Sequence, residues 1–211
     1  VAGGGVFVFN SSPTITGNEI LGNTMSSAVT DTFYGAGIYV HSNQASFAVA
    51  RPTITRNLIE SNIADPPPGA NQNRPSAAGG AGVYVGYWSA PTVSENTIRT
   101  NRVGDTTKSN QIVGGGGLAL YSVPASGDPV ISRNLFDGNV AADLGAGVYA
   151  GTRYDPDTRV DEPSVGRVEN NVFEFNDGIL GGGIATKNSR VRVRNNTFVD
   201  NLGSYGAGVY A

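Results

Sequence analysis

Residues 181–201 read Gly181-Gly182-Gly183-Ile184-Ala185-Thr186-Lys187-Asn188-Ser189-Arg190-Val191-Arg192-Val193-Arg194-Asn195-Asn196-Thr197-Phe198-Val199-Asp200-Asn201. A glycine cluster leads into a short apolar run, then into an alternating run, then into an Asn-Thr-Phe run closed by a second asparagine. No run is long enough for a helix, and β-branched residues alternate with polar ones, so each reads as a strand. Working outward, both parts recur. The glycine block returns at Gly3 to Val8, Gly35 to Val40, Gly80 to Val85, Gly115 to Leu120, Gly145 to Ala150 and Gly206 to Ala211. The second block returns at Pro13 to Asn23, Pro52 to Asn62, Pro91 to Asn101, Pro129 to Asn139 and Gly166 to Asn176. The closing asparagines stand at positions 23, 62, 101, 139, 176 and 201, in steps of 39, 39, 38, 37 and 25. The last step is the bare unit; the others are that unit plus insertions.

Three short strands per unit, stacked unit on unit, predict an all-β parallel β-helix of about six coils, each adding about 4.8 Å. A propeller also repeats near 40 residues, but a 25-residue step is too short for a four-stranded blade. Alternation points Val6, Ile38, Val83, Leu118, Val148, Ile184 and Val209 inward from the first strand. It does the same for Ile15, Ile54, Val93, Ile131, Val168 and Val193 on the second. On the third it selects Ile20, Ile59, Ile98, Phe136, Phe173 and Phe198. The asparagines Asn18, Asn57, Asn96, Asn134, Asn171 and Asn196 fall between the second and third strands. Asparagine tolerates the left-handed backbone of a sharp bend, and its amide can bond to the coils above and below. These residues therefore read as a structural ladder. The row from Asn23 to Asn201 closes the third strand in the same way.

This pattern resembles the right-handed parallel β-helix repeat proteins of the pectate-lyase-like superfamily, over essentially the whole chain. The glycine block and the Phe-x-x-Asn runs at Phe136 to Asn139, Phe173 to Asn176 and Phe198 to Asn201 also look like the repeats of chlamydial polymorphic outer-membrane proteins. Ile20, Ile59 and Ile98 stand in place of the phenylalanine in the first three units. The resemblance implies a right-handed coil and leaves function open, because lyases, hydrolases, adhesins and fibre parts share the fold.

The chain has 211 residues with 14 basic and 17 acidic side chains, a net charge of -3. Charged residues make up 15%, below the ~25% of an average domain. That balance gives no basic footprint for nucleic acid, and no apolar run is long enough to insert into a membrane. With no cysteine, disulfides, thiolate metal sites and cysteine nucleophiles are excluded. Any export signal would lie outside these residues. Residues 1–211 read as a single β-helix domain. Both ends are glycine blocks without a cap, so the expectation is a part of a longer solenoid or a subunit that stacks end to end.

Enzymes that resemble this fold act on polysaccharide over the glycine-block sheet. The outward rows of that sheet read Gly5, Gly37, Gly82, Gly117, Gly147, Gly183, Gly208, and Phe7, Tyr39, Tyr84, Ala119, Tyr149, Ala185, Tyr210. Neither row holds a carboxylate, an arginine or a histidine. No catalytic residue is assigned, and the reading leans away from an enzyme. His41, the only histidine, begins an insertion and reads as a solvated loop residue. The aromatic residues Tyr39, Tyr84, Tyr87, Trp88, Tyr121 and Tyr149 are read as a ligand-binding trough walled by the insertions His41–Arg51, Ile63–Gly79, Arg102–Gly114 and Gly151–Val165. Flat rings beside glycines would admit a sugar or another protein. Asp155, Asp157, Asp161 and Glu162 are the oxygen ligands that would take Ca²⁺ if the protein holds a metal; no other cofactor is expected. Glu60, Arg99 and Asp137 should stack with alternating charge on successive third strands, and Glu169 should pair with Arg194.

The expected function is a non-catalytic structural or adhesive β-helix, extracellular or on a bacterial cell surface, and a candidate self-associating fibre subunit. Its partners would be other copies end to end, other surface proteins, or polysaccharide. The alternatives are a polysaccharide-active enzyme of the Ca²⁺-dependent uronate lyase type and a glycan-binding module.

Overall fold

The computed structural model describes residues 3–25, 32–43, 49–65, 76–104, 111–121, 128–152 and 163–211. Every paired strand among them is parallel, and the strands stack into four sheets. The first sheet holds the glycine-block strands Val6–Phe9, Ile38–His41, Val83–Val85, Leu118–Tyr121, Val148–Gly151, Ile184–Lys187 and Val209–Tyr210. The second holds Thr14–Thr16, Thr53–Thr55, Thr92–Ser94, Val130–Ser132, Val165–Glu169 and Arg190–Arg194. The third holds Glu19–Leu21, Leu58–Glu60, Thr97–Arg99, Leu135–Asp137, Val172–Glu174 and Thr197–Val199. These are the three strand rows expected, and the coil is a parallel β-helix of six stacked turns.

A fourth sheet completes each coil where the sequence showed only an insertion. Its clearest strand is Val140–Leu144. In the first three coils it is split into flanks: Thr24–Met25 with Thr32–Tyr34, Ile63–Ala64 with Ser76–Gly79, and Arg102–Val103 with Gln111–Gly114. One set of flanks pairs with Val140 and Ala141, the other with Leu144. The sheet continues through Asp177–Leu180 to bridges at Leu202 and Tyr205. The insertions therefore interrupt this sheet and leave its pairing intact.

Register is kept coil to coil, so like side chains stack. Ile38, Val83, Leu118, Val148 and Ile184 meet Ile54, Val93, Ile131 and Val168, and Ile59, Ile98, Phe136 and Phe173, all at 0% exposure. Phe136 and Phe173 stack at 4.8 Å and 4° between planes. Each such side chain contributes roughly 1.5–3 kcal/mol by leaving water. Val6, Ile15, Val193 and Phe198 at the first and last coils are only partly covered, and Val209 is 40% exposed.

Both asparagine rows are continuous ladders. In each rung the side-chain Nδ2 donates to Oδ1 of the equivalent asparagine one coil on; Asn57 reaches Asn96, and Asn96 reaches Asn134, at 3.0 Å. The same nitrogen donates back to a second-sheet or third-sheet carbonyl of the preceding coil, as Asn96 does to Ile54 at 2.9 Å. The oxygen accepts both the backbone N–H and the Nδ2 of the previous rung. The second ladder repeats this from Asn23 to Asn201. The bend itself is assigned differently from expectation. The left-handed residue is the one before each asparagine: Gly17, Arg56, Glu95, Arg133, Asn170 and Asn195 at one corner, Gly22, Ser61, Thr100, Gly138, Phe175 and Asp200 at the other, with φ between 46° and 68°. That residue turns the chain, and the asparagine behind it is thereby aimed into the coil interior.

Candidate functional site

The expected platform of exposed tyrosines is largely closed. Tyr84, Tyr121 and Tyr149 do point away from the main core, but they are 1%, 7% and 2% exposed. They form a second apolar cluster with Tyr34, Ala119, Leu144 and Ala185 on the outer side of the first sheet. The reason lies in the fourth sheet, which the sequence had not revealed. Tyr34, Gly79, Gly114 and Leu144 are its last residues and align coil by coil. The glycines there make room for rings: a Cβ on Gly79 would lie 2.6 Å from the ring of Tyr121, and one on Gly114 2.6 Å from the ring of Tyr149. Tyr34 packs on Tyr84 at 4.6 Å between centroids, and Tyr121 on Tyr149 at 5.1 Å.

The glycine row is also reassigned. Gly37, Gly82 and Gly117 face the inside, where an added Cβ would approach the side-chain amides of Asn62, Asn101 and Asn139 at 3.1–3.2 Å. Counting alternation back from Ile38 fails because the strand starts there and Gly35, at φ 65°, turns the chain just before it.

Burial sets the chemistry of this cluster. The Tyr149 hydroxyl is pushed up to about 12, first by desolvation and then by the Asp143 carboxylate. Tyr121 is held well above the usual phenol range by burial, then by Tyr149, Tyr34, Tyr84 and Asp143. Burial also raises Asp143, against the pull of Lys187. These tyrosines are neutral packing groups at physiological pH.

What remains open is a smaller aromatic ledge at the first three coils. Phe7 and Phe9 are 54% and 43% exposed, and Tyr39, His41, Tyr87 and Trp88 are half-buried. Phe7 stacks on Tyr39 at 5.3 Å and 4°, and Tyr39 continues the column onto Tyr84 at 5.1 Å and 4°. Phe9 stacks on His41 at 5.9 Å, and Tyr87 meets His41 edge-on at 5.9 Å. His41 is thus the last residue of a strand, paired in register with Phe9, not a loop residue. Phe9 was legible in the sequence: it stands two residues after Phe7, on the same face.

Asp155, Asp157, Asp161 and Glu162 lie outside the described residues. Among the described residues no group of three or more His, Asp or Glu side chains comes together as a metal site, and no helix is long and apolar enough to cross a membrane. The outer charges join neighbouring coils. Arg99 pairs with Glu60 at 3.0 Å and is in register with Asp137. Arg133 pairs with Glu95 at 3.0 Å, and Arg102 pairs with Asp65. Glu169 is in register with Arg194 but its ion pair, at 3.8 Å, is with Arg167. Arg167 holds Asp128 at 3.0 Å as well.

A family model described as a right-handed β-helix region matches residues 2–211. No curated protein and no solved structure matches the chain.

Proposed function

The chain belongs to the right-handed β-helix family, and on that premise we propose that it is a non-catalytic structural and adhesive rod of the bacterial cell surface or extracellular space. The observation that carries this reading is the pair of unbroken asparagine ladders running from the first coil to the last. Buried amides satisfied on both sides fix each coil to its neighbours and give a stiff support. A support of this kind works by what it displays. The ledge of Phe7, Phe9, Tyr39 and His41 is the displayed feature on the first sheet, and stacked rings offer a flat apolar surface to a sugar ring or another protein.

The ledge also favours the second reading, a glycan-binding module. A glycan array followed by binding titrations separates the cases. Binding that disappears in Phe9→Ala/Tyr39→Ala, with the melting temperature kept, supports display through the ledge. Binding unchanged in that variant removes the ledge from the reading. Unsaturated-uronate absorbance released from a polyuronate, and stopped by a chelator, would overturn the non-catalytic assignment itself.

A further inference from the structure

The last coils carry charge in a different way from the rest. The strand Arg190–Arg194 reads Arg-Val-Arg-Val-Arg. Val191 and Val193 pack on the main core, so Arg190, Arg192 and Arg194 all stand outward, and all three are exposed. At about 3.3 Å per residue they are about 6.6 Å apart along one line. Arg192 is in register with Arg167, a like charge on the next strand, and Arg167 is already taken by Asp128 and Glu169. Among the described residues no ion pair reaches Arg190, Arg192 or Arg194. On the first three coils of this face the outward residues that are not buried are neutral hydroxyls: Thr14, Thr16, Thr53, Thr55 and Thr92.

One bend away, the same end of the rod has the opposite character. Asp137 and Glu174 stack in register on the outer face of the third sheet, with Val199 next in the column. Asp177 and Asp200 flank the following bend. No ion pair among the described residues reaches these four carboxylates. Exposed apolar side chains lie between them: Phe175 at 56%, Leu202 at 62%, Val199 at 39% and Val172 at 36%.

We propose that these two faces are the complementary halves of a side-by-side contact between copies of this chain, the arginine stripe of one rod lying on the acidic and apolar edge of the next. An arginine stripe alone would suit any polyanion. The second face selects the partner, because the chain carries, over its last three coils, a carboxylate edge interleaved with apolar side chains and reached by no ion pair among the described residues. A protein interface needs both the charge match and the apolar contact. The two faces are different surfaces, so the contact is heterologous and repeats from copy to copy. The stripe lies on the last coil, and Glu174 and Asp137 lie one and two coils before it, so the rods meet with an axial offset of one to two coils, about 5–10 Å. The patch is small and its charges are exposed, so the association is weak and strongly salt-dependent. It holds whether or not the ledge at the other coils takes a ligand.

Sedimentation velocity across a concentration series tests it, at about 0.01 M and 1 M NaCl, where the screening lengths are about 30 Å and 3 Å. The wild-type chain should associate at low salt and weaken about tenfold or more at high salt. Arg190→Glu/Arg192→Glu/Arg194→Glu and Asp137→Arg/Glu174→Arg should each remain monomeric. Mixing the two charge-reversed proteins should restore association, in an assembly that contains both chains in equal number, which a merely misfolded variant cannot do. A wild-type chain that stays monomeric at low salt overturns the proposal. So does association that survives either reversal. If the wild type stays monomeric yet binds dextran sulfate through the three arginines, the stripe serves a polyanion and the lateral contact is wrong.

Discussion

At Asn96 one side chain ties three coils together. Its nitrogen reaches Ile54 in one direction and Asn134 in the other, and its oxygen holds the backbone and side-chain nitrogens of Asn57. Asn96→Ala should cost about 2–4 kcal/mol, because buried donors and acceptors on both neighbours lose their partners; a denaturant midpoint unchanged from wild type would contradict the ladder's role. The residue before each ladder asparagine behaves oppositely. Thr100 is β-branched and sits at φ 50°, a conformation costing L-residues roughly 1–2 kcal/mol. Thr100→Gly removes that strain and gives back part of it as unfolded-state entropy, so it should stabilise by about 0.5–1 kcal/mol in the same titration. Arg56, Thr100 and Phe175 do not themselves advertise the left-handed conformation, which glycine, asparagine and aspartate do; the mark is in the repeat register, where Gly17, Asn170 and Asn195 hold the first corner and Gly22, Gly138 and Asp200 the second. The structure adds that the residue at this position turns the chain and aims the asparagine behind it inward. The buried phenols give a pH signature. The Tyr149 hydroxyl titrates near 12 in the folded chain and near 10 when unfolded. Above pH 10 the unfolded state binds fewer protons than the folded one, so stability is fully present below pH 10 and falls as pH rises toward 12. Tyr149→Phe keeps the ring and should flatten that alkaline loss; thermal melts at pH 9 to 12 would read it, and an identical slope in the variant would sink the assignment.

The strands differ in how clearly the chain announces them. The first three rows carry β-branched alternation with a fixed spacing to an asparagine, and their inward residues were legible one by one. The fourth sheet was not, because its early strands are pieces such as Thr24–Met25 and Ile63–Ala64, too short to show a period and separated by inserted segments. Missing that sheet also misplaced the tyrosines. Period-two alternation puts Tyr84 and Tyr149 outside the main core, and only the neighbouring glycines of the fourth sheet decide that outside is still buried. Packing then varies along each row. Ile98→Ala, in a fully buried middle strand, should cost about 2–5 kcal/mol. Val193→Ala, partly exposed in the last coil, should cost about 1 kcal/mol or less. Equal losses at the two sites would mean that the last coil is covered by something beyond these residues.

Across the whole molecule each coil contacts only its neighbours, so stability is close to a sum of coil and interface terms. Among the described residues the amides of 92–103 and 130–137 should be the slowest to exchange with deuterium and those of 184–211 among the fastest. Uniform protection along the rod would show instead that it opens as one unit. The ladders that set this order also have a direction. In both rows the side-chain-to-side-chain bond runs one way, from each Nδ2 to the Oδ1 one coil later, so the accepting oxygens face the earlier coil. An amide group carries a dipole of about 3.5 D. Two files of amides aligned in this sense add to a permanent electric moment on the order of tens of debye along the rod, positive toward the last coil. These six coils are therefore polar along their stacking axis: a field would orient them, and the potential met by an approaching ion differs between the first coil and the last.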